Sequence, residues 1–324
     1  MTIARAQFAD TGVEISSLCL GTMMFGDRTG ADESTQIMHR ALDAGIDFWD
    51  TAPMYTATET ERIVGSALVG RRDRVFLATK VHKGITYDDI TSSCDESLDR
   101  LRTDHVDLLQ IHWPKKQMAL EEITRALDDL VQAGKVRFAG CSNFPTWVLA
   151  VARDLAGQKG RARFVSHQPP YNLIERGIEV ELLPMCLHQK IAVIPYRPMC
   201  MGILSGKYRP GVPIPEDSRG QKDDRVGKML DRFGPGVTAL FEMAEAHNVA
   251  PATVSLAWVR SQAGITAPIV GVSRVDQLEN LLIESSFELS EDQRAELSKA
   301  FDSQVLETGL GDFPRWRRRT DVLA

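Results

Sequence analysis

One pattern repeats along the chain: a short apolar run, then a longer segment whose apolar residues recur near i, i+3 and i+4. The first is the signature of a buried strand and the second of an amphipathic helix. ISSLCLGT, IDFWDTA, RVFLATK, HVDLLQIH, KVRFAGCSN, RFVSHQ, IAVIPY and APIVGVS read as strands. Helical patterns follow them, beginning with DESTQIMHRALDAG, where Asp32 is the expected N-cap and Gly45 the expected stop. In EVELLPMCLHQK a proline, Pro184, interrupts the pattern. After IAVIPY comes a Gly/Pro-rich stretch at 197–236 that reads as a long loop. The helices VTALFEMAEAHN and APATVSLAWVRSQAG follow it, and RVDQLENLLIES and SEDQRAELSKAFD follow the last strand.

Eight strand-then-helix units are the number that closes a (β/α)8 TIM barrel, which needs about 250 residues plus insertions. The expected fold class is therefore α/β, with one barrel domain over residues 1–324, an N-terminal β-hairpin and extra C-terminal helices. The hairpin is expected in RAQFADTGVEIS, turning at Thr11 and Gly12 and plugging the barrel bottom. An open doubly wound sheet would announce itself by a G-x-G-x-x-G turn after the first strand. CLGTMMFGDRTG contains none.

A net charge of −6 and a pI near 5.7 argue against nucleic acid as a partner. The one basic cluster, RWRRR at 315–319, reads as a solvated or pocket-covering tail. No apolar run approaches the roughly 20 residues that span a bilayer, so no membrane partner is expected. MTIARAQFADTG lacks the apolar core of a signal peptide. The five cysteines, Cys19, Cys94, Cys141, Cys186 and Cys200, are odd in number and show no metal spacing. A cytoplasmic protein with reduced thiols and no metal is the expectation.

In such barrels chemistry collects at the C-terminal ends of the strands. Those ends carry Asp50, with Tyr55 five residues on, then Lys80, His112, Ser142 with Asn143, Gln168, Tyr196 and the run Gly271 to Arg274. Singly, each has an ordinary explanation: a solvated lysine, a turn-forming aspartate, a packing tyrosine. On consecutive strands of one barrel mouth, coincidence is the poorer explanation.

The segments LCLGTMMFG, GIDFWDTAPMY, ATK, DLLQIHWP, GKVRFAGCSNF, HQPPYN, IPYRPMCMGILSGKY and VGVSRVDQLEN together resemble the aldo-keto reductases, specifically the bacterial branch related to potassium-channel β subunits. The resemblance covers nearly the whole chain. It implies hydride transfer between a nicotinamide cofactor and a small aldehyde, ketone or sugar. It makes Tyr55 the proton donor, Lys80 the ammonium that lowers its pKa, Asp50 the carboxylate that orients Lys80, and His112 the donor to the carbonyl oxygen. It also implies a cofactor site. Gly21, Thr22, Met23 and Asp50 stand on one side, and Ser142, Asn143 and Gln168 hold the carboxamide. Tyr196 stacks on the ring, followed by Arg197, Pro198 and Met199. Gly202, Leu204, Ser205 and Lys207 match the loop over the pyrophosphate. Gly271, Ser273 and Arg274 lie near the 2′-phosphate, with Gln277 and Asn280 on the adenine side.

An arginine at position 274 favours NADP(H) over NAD(H). Two departures stand against a simple transfer. Arg197 occupies a position where many relatives carry serine, and Leu281 one where many carry asparagine. Just beyond the strand ends Met24, Phe25, Met54, Trp113 and Phe144 join Tyr55 and His112 as candidate pocket walls, implying an apolar or aromatic substrate. Two alternatives stay open: an NAD-dependent dehydrogenase of a sugar or pyridoxal-type substrate, and a cofactor-binding, redox-sensing subunit with little turnover.

Overall fold

A computed structural model describes residues 3–216 and 218–302. The basic cluster at 315–319 and the tail around it lie outside the described residues. A hairpin of β1 (Arg5–Gln7) and β2 (Glu14–Ser16), antiparallel with Ala6 opposite Ile15, opens the chain. Eight parallel strands follow: β3 (Cys19–Gly21), β4 (Phe48–Asp50), β5 (Phe76–Val81), β6 (Val106–Ile111), β7 (Val136–Ser142), β8 (Phe164–Gln168), β9 (Ala192–Val193) and β10 (Ile269–Gly271). Their order is β10-β3-β4-β5-β6-β7-β8-β9. The free flanks meet through Thr266 N–H donating to the Val193 carbonyl and Ile269 N–H to that of Pro195, each at 2.8 Å. The result is the (β/α)8 arrangement.

Strand alternation sorts the side chains into two cores. Phe48, Phe76, Ala78 and Leu108 point into the barrel lumen with Ile194 and Ile269. Trp49, Leu77, Leu109 and Ile111 point outward, against the helices. Phe8 of the hairpin seals the lumen from below, its ring centroid 4.7 Å from that of Phe76 and 6.4 Å from that of Phe48. The hairpin is thus where the sequence puts it. The same alternation, continued upward, brings Asp50, Lys80, Gln110 and His112 to the inner face at the opposite end.

The helices are α1 (Ala31–Asp43), α2 (Glu59–Ala67), α3 (Tyr87–Leu101), α4 (Leu120–Gln132), α5 (Thr146–Gln158), α6 (Leu182–His188), α7 (Arg219–Lys222), α8 (Arg225–His247), α9 (Pro251–Arg260), α10 (Val275–Glu284) and α11 (Glu291–Asp302). Pro184 is harmless in the first turn of α6, where its missing N–H would have no helical partner.

Four readings need correction. Gly30, not Asp32, is the N-cap of α1, and no side chain bonds there; Asp32 sits in the first turn, where its charge favours the helix N-terminus. ISSLCLGT is split between β2 and β3. IAVIPY pairs as a ladder only at Ala192 and Val193; bonding to the β8 side resumes at Tyr196, whose N–H donates to the Pro169 carbonyl, and neither Pro169 nor Pro195 has an N–H to fill the gap. The expected loop at 197–236 is largely structured: a 3-10 turn at Cys200–Ser205, then α7, then α8 starting at Arg225. Helix α8 runs through Gly234, Pro235 and Gly236. Its buried stripe Val226, Met229, Leu230, Phe233, Val237 and Leu240 has helical spacing on both sides of the proline.

Candidate active site

Lys80 ends the lumen-facing series Phe76, Ala78, Lys80 and is fully buried. Its ammonium donates 2.6 Å to Asp50 Oδ2, 2.9 Å to the Thr51 carbonyl and 3.1 Å to the Tyr55 hydroxyl. All three N–H groups are used. Asp50 is held in turn: its Oδ1 accepts from Gln168 Nε2 at 2.9 Å and Gln110 Nε2 at 3.3 Å. A charge buried this deeply is tolerated only when paired and hydrogen-bonded on every side. Burial alone lowers the Lys80 pKa, but Asp50 and Tyr55 outweigh it and raise it to about 12.

Tyr55 accepts a hydrogen bond from Lys80, so its own O–H is free to point elsewhere. The sequence-based expectation of a lowered Tyr55 pKa is not met. Burial raises it most, and with Asp50 and Cys19 it outweighs the opposing pull of Lys80. Tyr55 therefore stays a neutral phenol at neutral pH. Its place is fixed by the turn after β4. There Thr56, Ala57 and Thr58 adopt φ of 46°, 48° and 80°, a left-handed run that L residues resist. The Phe25 carbonyl accepts from Thr56 Oγ1 at 3.3 Å and Thr60 Oγ1 at 2.8 Å, tying that turn down.

His112 follows β6 immediately and continues its ladder, its N–H donating to the Val81 carbonyl at 3.1 Å. Its ring stands edge-on to Tyr55, with centroids 6.3 Å apart. Burial first, then Lys80, His82 and Lys115, push its pKa down to about 2. The ring is a neutral imidazole with one N–H to donate.

Ser142, Asn143, Gln168 and Tyr196 form one network. Ser142 Oγ donates to the Gln168 carbonyl at 2.8 Å. Asn143, at φ +62°, donates to the His112 carbonyl at 3.1 Å and to Ser142 Oγ at 2.8 Å, and accepts from the Tyr196 hydroxyl at 2.8 Å. Thr22 donates its hydroxyl to the Asp50 carbonyl at 3.0 Å. Gly21 leaves no room for a side chain, since a Cβ there would lie 2.6 Å from Ile269 Cγ2.

The other predicted residues spread over the same barrel end. Met201 and Gly202 are successive left-handed residues, and Ser205 Oγ donates to the Gly202 carbonyl at 2.7 Å. Such turns converge backbone N–H groups on an anion. Leu204 is buried below that turn, Lys207 is exposed, and the Pro198 carbonyl accepts from Ser255 at 3.0 Å. At the head of α10, Ser273 N–H donates to Gln277 Oε1 at 2.9 Å, and Arg274 pairs with Asp276 at 2.8 Å. Gly271 and Asn280 are exposed, whereas Leu281 packs against the core. Arg197 lies 3.8 Å from the buried Glu175, so its charge already faces a carboxylate.

Among the candidate pocket walls, Met54 is 43% and Met23 52% exposed, and Met24 and Trp113 are half-buried. Phe25 and Phe144 are 0% and 1% exposed and so back the site rather than face it. Two residues at the site escaped the sequence reading. Gln110 is the register partner of Lys80, and His82 follows β5 with its ring 5.7 Å from that of His112. Both lie at even spacing from a residue that was identified, so alternation would have found them.

The sequence profile of the aldo/keto reductase family matches residues 17–302. The chain is 31% identical to the aldo-keto reductase YhdN of Bacillus subtilis, over 92% of this chain and 93% of the relative. It is 30% identical to a norsolorinic acid reductase of Emericella nidulans (96% and 85%) and 28% identical to the versiconal hemiacetal acetate reductase of Aspergillus parasiticus (94% and 98%). The matched span runs from the loop before β3 to the end of α11 and includes every element that delivers the buried site. On that ground the chain belongs to the aldo/keto reductase family and is an NAD(P)H-dependent oxidoreductase of small carbonyl compounds.

Proposed function

We propose that the chain reduces the carbonyl group of a small aldehyde, ketone or sugar, with NADP(H) as cofactor and Tyr55 as proton donor. The observation that carries this reading is the buried chain Asp50–Lys80–Tyr55, with Nζ 2.6 Å from the carboxylate and 3.1 Å from the phenol. A bound reduced nicotinamide supplies the hydride; the protein supplies position and the proton. Tyr55 gives its proton to the carbonyl oxygen as charge develops there. The Lys80 ammonium, held by Asp50, stabilises the phenolate left behind. His112, neutral, donates its N–H to the same oxygen and aligns it with Tyr55.

Ser142, Asn143 and Gln168 would hold the nicotinamide carboxamide, and Tyr196 offers its ring for stacking. Thr22, Met23, Pro198 and Met199 flank that position. The left-handed turn at Met201 and Gly202, with Ser205 and Lys207, fits a pyrophosphate. Ser273, Arg274, Gln277 and Asn280 form a polar edge on α10 suited to an adenosine phosphate. Arg274 is exposed and its pair with Asp276 is a solvated one, so a phosphate dianion can compete for the guanidinium. Asp276 also motivates a second reading, NAD(H), because a carboxylate there disfavours a 2′-phosphate.

The test is cofactor oxidation with aromatic and aliphatic aldehydes, with NADPH and NADH compared. Consumption matched by alcohol formation, and a KM for NADPH raised about tenfold in Arg274→Ala with NADH unaffected, is expected. No consumption with any carbonyl would defeat the reductase reading. Equal use of both cofactors, unchanged in Arg274→Ala, would favour NAD(H).

A further inference from the structure

The loops after β5 and β6 leave the barrel side by side. Lys80 pairs in register with Gln110 and Val81 with Ile111, and His112 N–H to the Val81 carbonyl adds one more step. Each strand then delivers a histidine followed by a lysine: His82 and Lys83 from one, His112 and Lys115 from the other. The two rings sit 5.7 Å apart. His82 Nδ1 is buried with no hydrogen-bond partner among the described residues.

We propose, building on the reductase reading, that the natural substrate is an anionic carbonyl compound whose carboxylate or phosphate is bound by Lys83 and Lys115 at this rim. Both lysines are exposed, and neither is ion-paired among the described residues. One carboxylate, Asp89, stands within the field of Lys115 and stays charged, its Oδ2 accepting from the Thr86 hydroxyl at 2.6 Å and the Thr86 N–H at 3.1 Å. Arg197, also at this end of the barrel, faces Glu175. Burial, Lys115 and Lys83 lower the His82 pKa, which disfavours a further positive charge on that ring. On a chain of net charge −6, two exposed lysines against one carboxylate leave a local positive excess that attracts anions against the overall field. Met23 follows β3, Met54 precedes Tyr55 and Trp113 follows His112, so apolar side chains that are exposed or half-buried stand at the same barrel end, in keeping with an apolar body between carbonyl and anion.

The matched probes are 4-formylbenzoate and its methyl ester, which share ring and aldehyde and differ in charge. The proposal expects kcat/KM for the acid to exceed that for the ester by about tenfold at low salt. The ratio should fall toward one at about 0.5 M salt, where screening shortens the reach of exposed charges. It should fall likewise in Lys83→Ala/Lys115→Ala. A ratio of one or below in the wild-type protein, or a ratio unmoved by the double substitution, overturns the proposal. If neither aldehyde is reduced, the reductase reading fails separately. Calorimetric titration with benzoate and benzamide then decides the charge question: tighter benzoate binding, lost in the double variant, supports it, and equal binding overturns it.

Discussion

The three N–H groups of Lys80 decide what Tyr55 can do. With all of them spent on Asp50, Thr51 and the phenol, the ammonium cannot donate to a substrate, and Tyr55 is left as the group with a proton to give. The pH dependence follows in sign. A Tyr55 raised above its ordinary value of 10.0 keeps its proton, and a His112 depressed to about 2 stays neutral. The rate of carbonyl reduction should therefore be flat between about pH 6 and 9, without the limb near 6.5 that an ordinary histidine would impose; a kcat/KM profile checks this. Stability behaves differently. His167 is depressed by burial to about 4 and His112 to about 2, both below the 6.5 of the unfolded chain. The unfolded state takes up protons that the folded state refuses. Stability is thus full above about pH 6.5 and falls as pH drops, by up to roughly 1.4 kcal/mol per pH unit for each group. His167→Gln, which keeps a donor for the Phe144 carbonyl, should show a smaller loss of Tm between about pH 6.5 and 4 than the wild type. The identities of Asp50, Lys80 and His112 were legible because alternation forces strand-end residues into a common space. The direction of the Tyr55 shift was not, because burial sums contributions from the whole fold.

At the scale of elements, glycine and proline misled where packing overrode them. Gly-Pro-Gly at 234–236 reads as a loop, yet α8 passes through it, because Val226, Phe233, Val237 and Leu240 need one continuous face to bury. Gly236 has a further reason to lack a side chain. A Cβ there would lie 2.7 Å from the Phe301 ring of α11. Gly236→Ala should thus destabilise by about 1–3 kcal/mol despite its better helix propensity. Gly227→Ala in the same helix would meet only Ile214 Cδ1 at 3.8 Å and should stabilise by about 0.5 kcal/mol. Denaturant midpoints of the two variants give the opposite signs directly. The short β9 teaches the same lesson from the other side: six apolar-looking residues cannot all join a ladder when Pro195 and the facing Pro169 bring no N–H.

Over the whole molecule, one chemical division runs along the barrel axis. The lower lumen is aromatic and closed by Phe8 against Phe48, Phe76 and Phe138; the upper lumen is charged and holds Lys80. The closed floor leaves the ion pair above it shielded from solvent, Lys80 and Asp50 being 0% and 2% exposed. Phe8→Ala should cost about 3–5 kcal/mol of stability. Turnover by the folded protein should stay within about twofold, since the plug touches no group at the mouth; thermal melts and assays at low temperature separate the two effects. The eight-unit order and the hairpin were readable because each unit must bury one face against its neighbours. The shape of the mouth was not, because it depends on loops whose backbone turns left-handed at Thr56, Asn143 and Met201 without glycine to signal it.

The most direct test is Tyr55→Phe, which keeps the ring and removes the proton. Expected is a loss of about 10²–10⁴ in kcat for aldehyde reduction, with cofactor binding by tryptophan quenching within about threefold of wild type. Turnover that stays within a few-fold of wild type would contradict Tyr55 as the proton donor and leave the buried lysine without its proposed purpose.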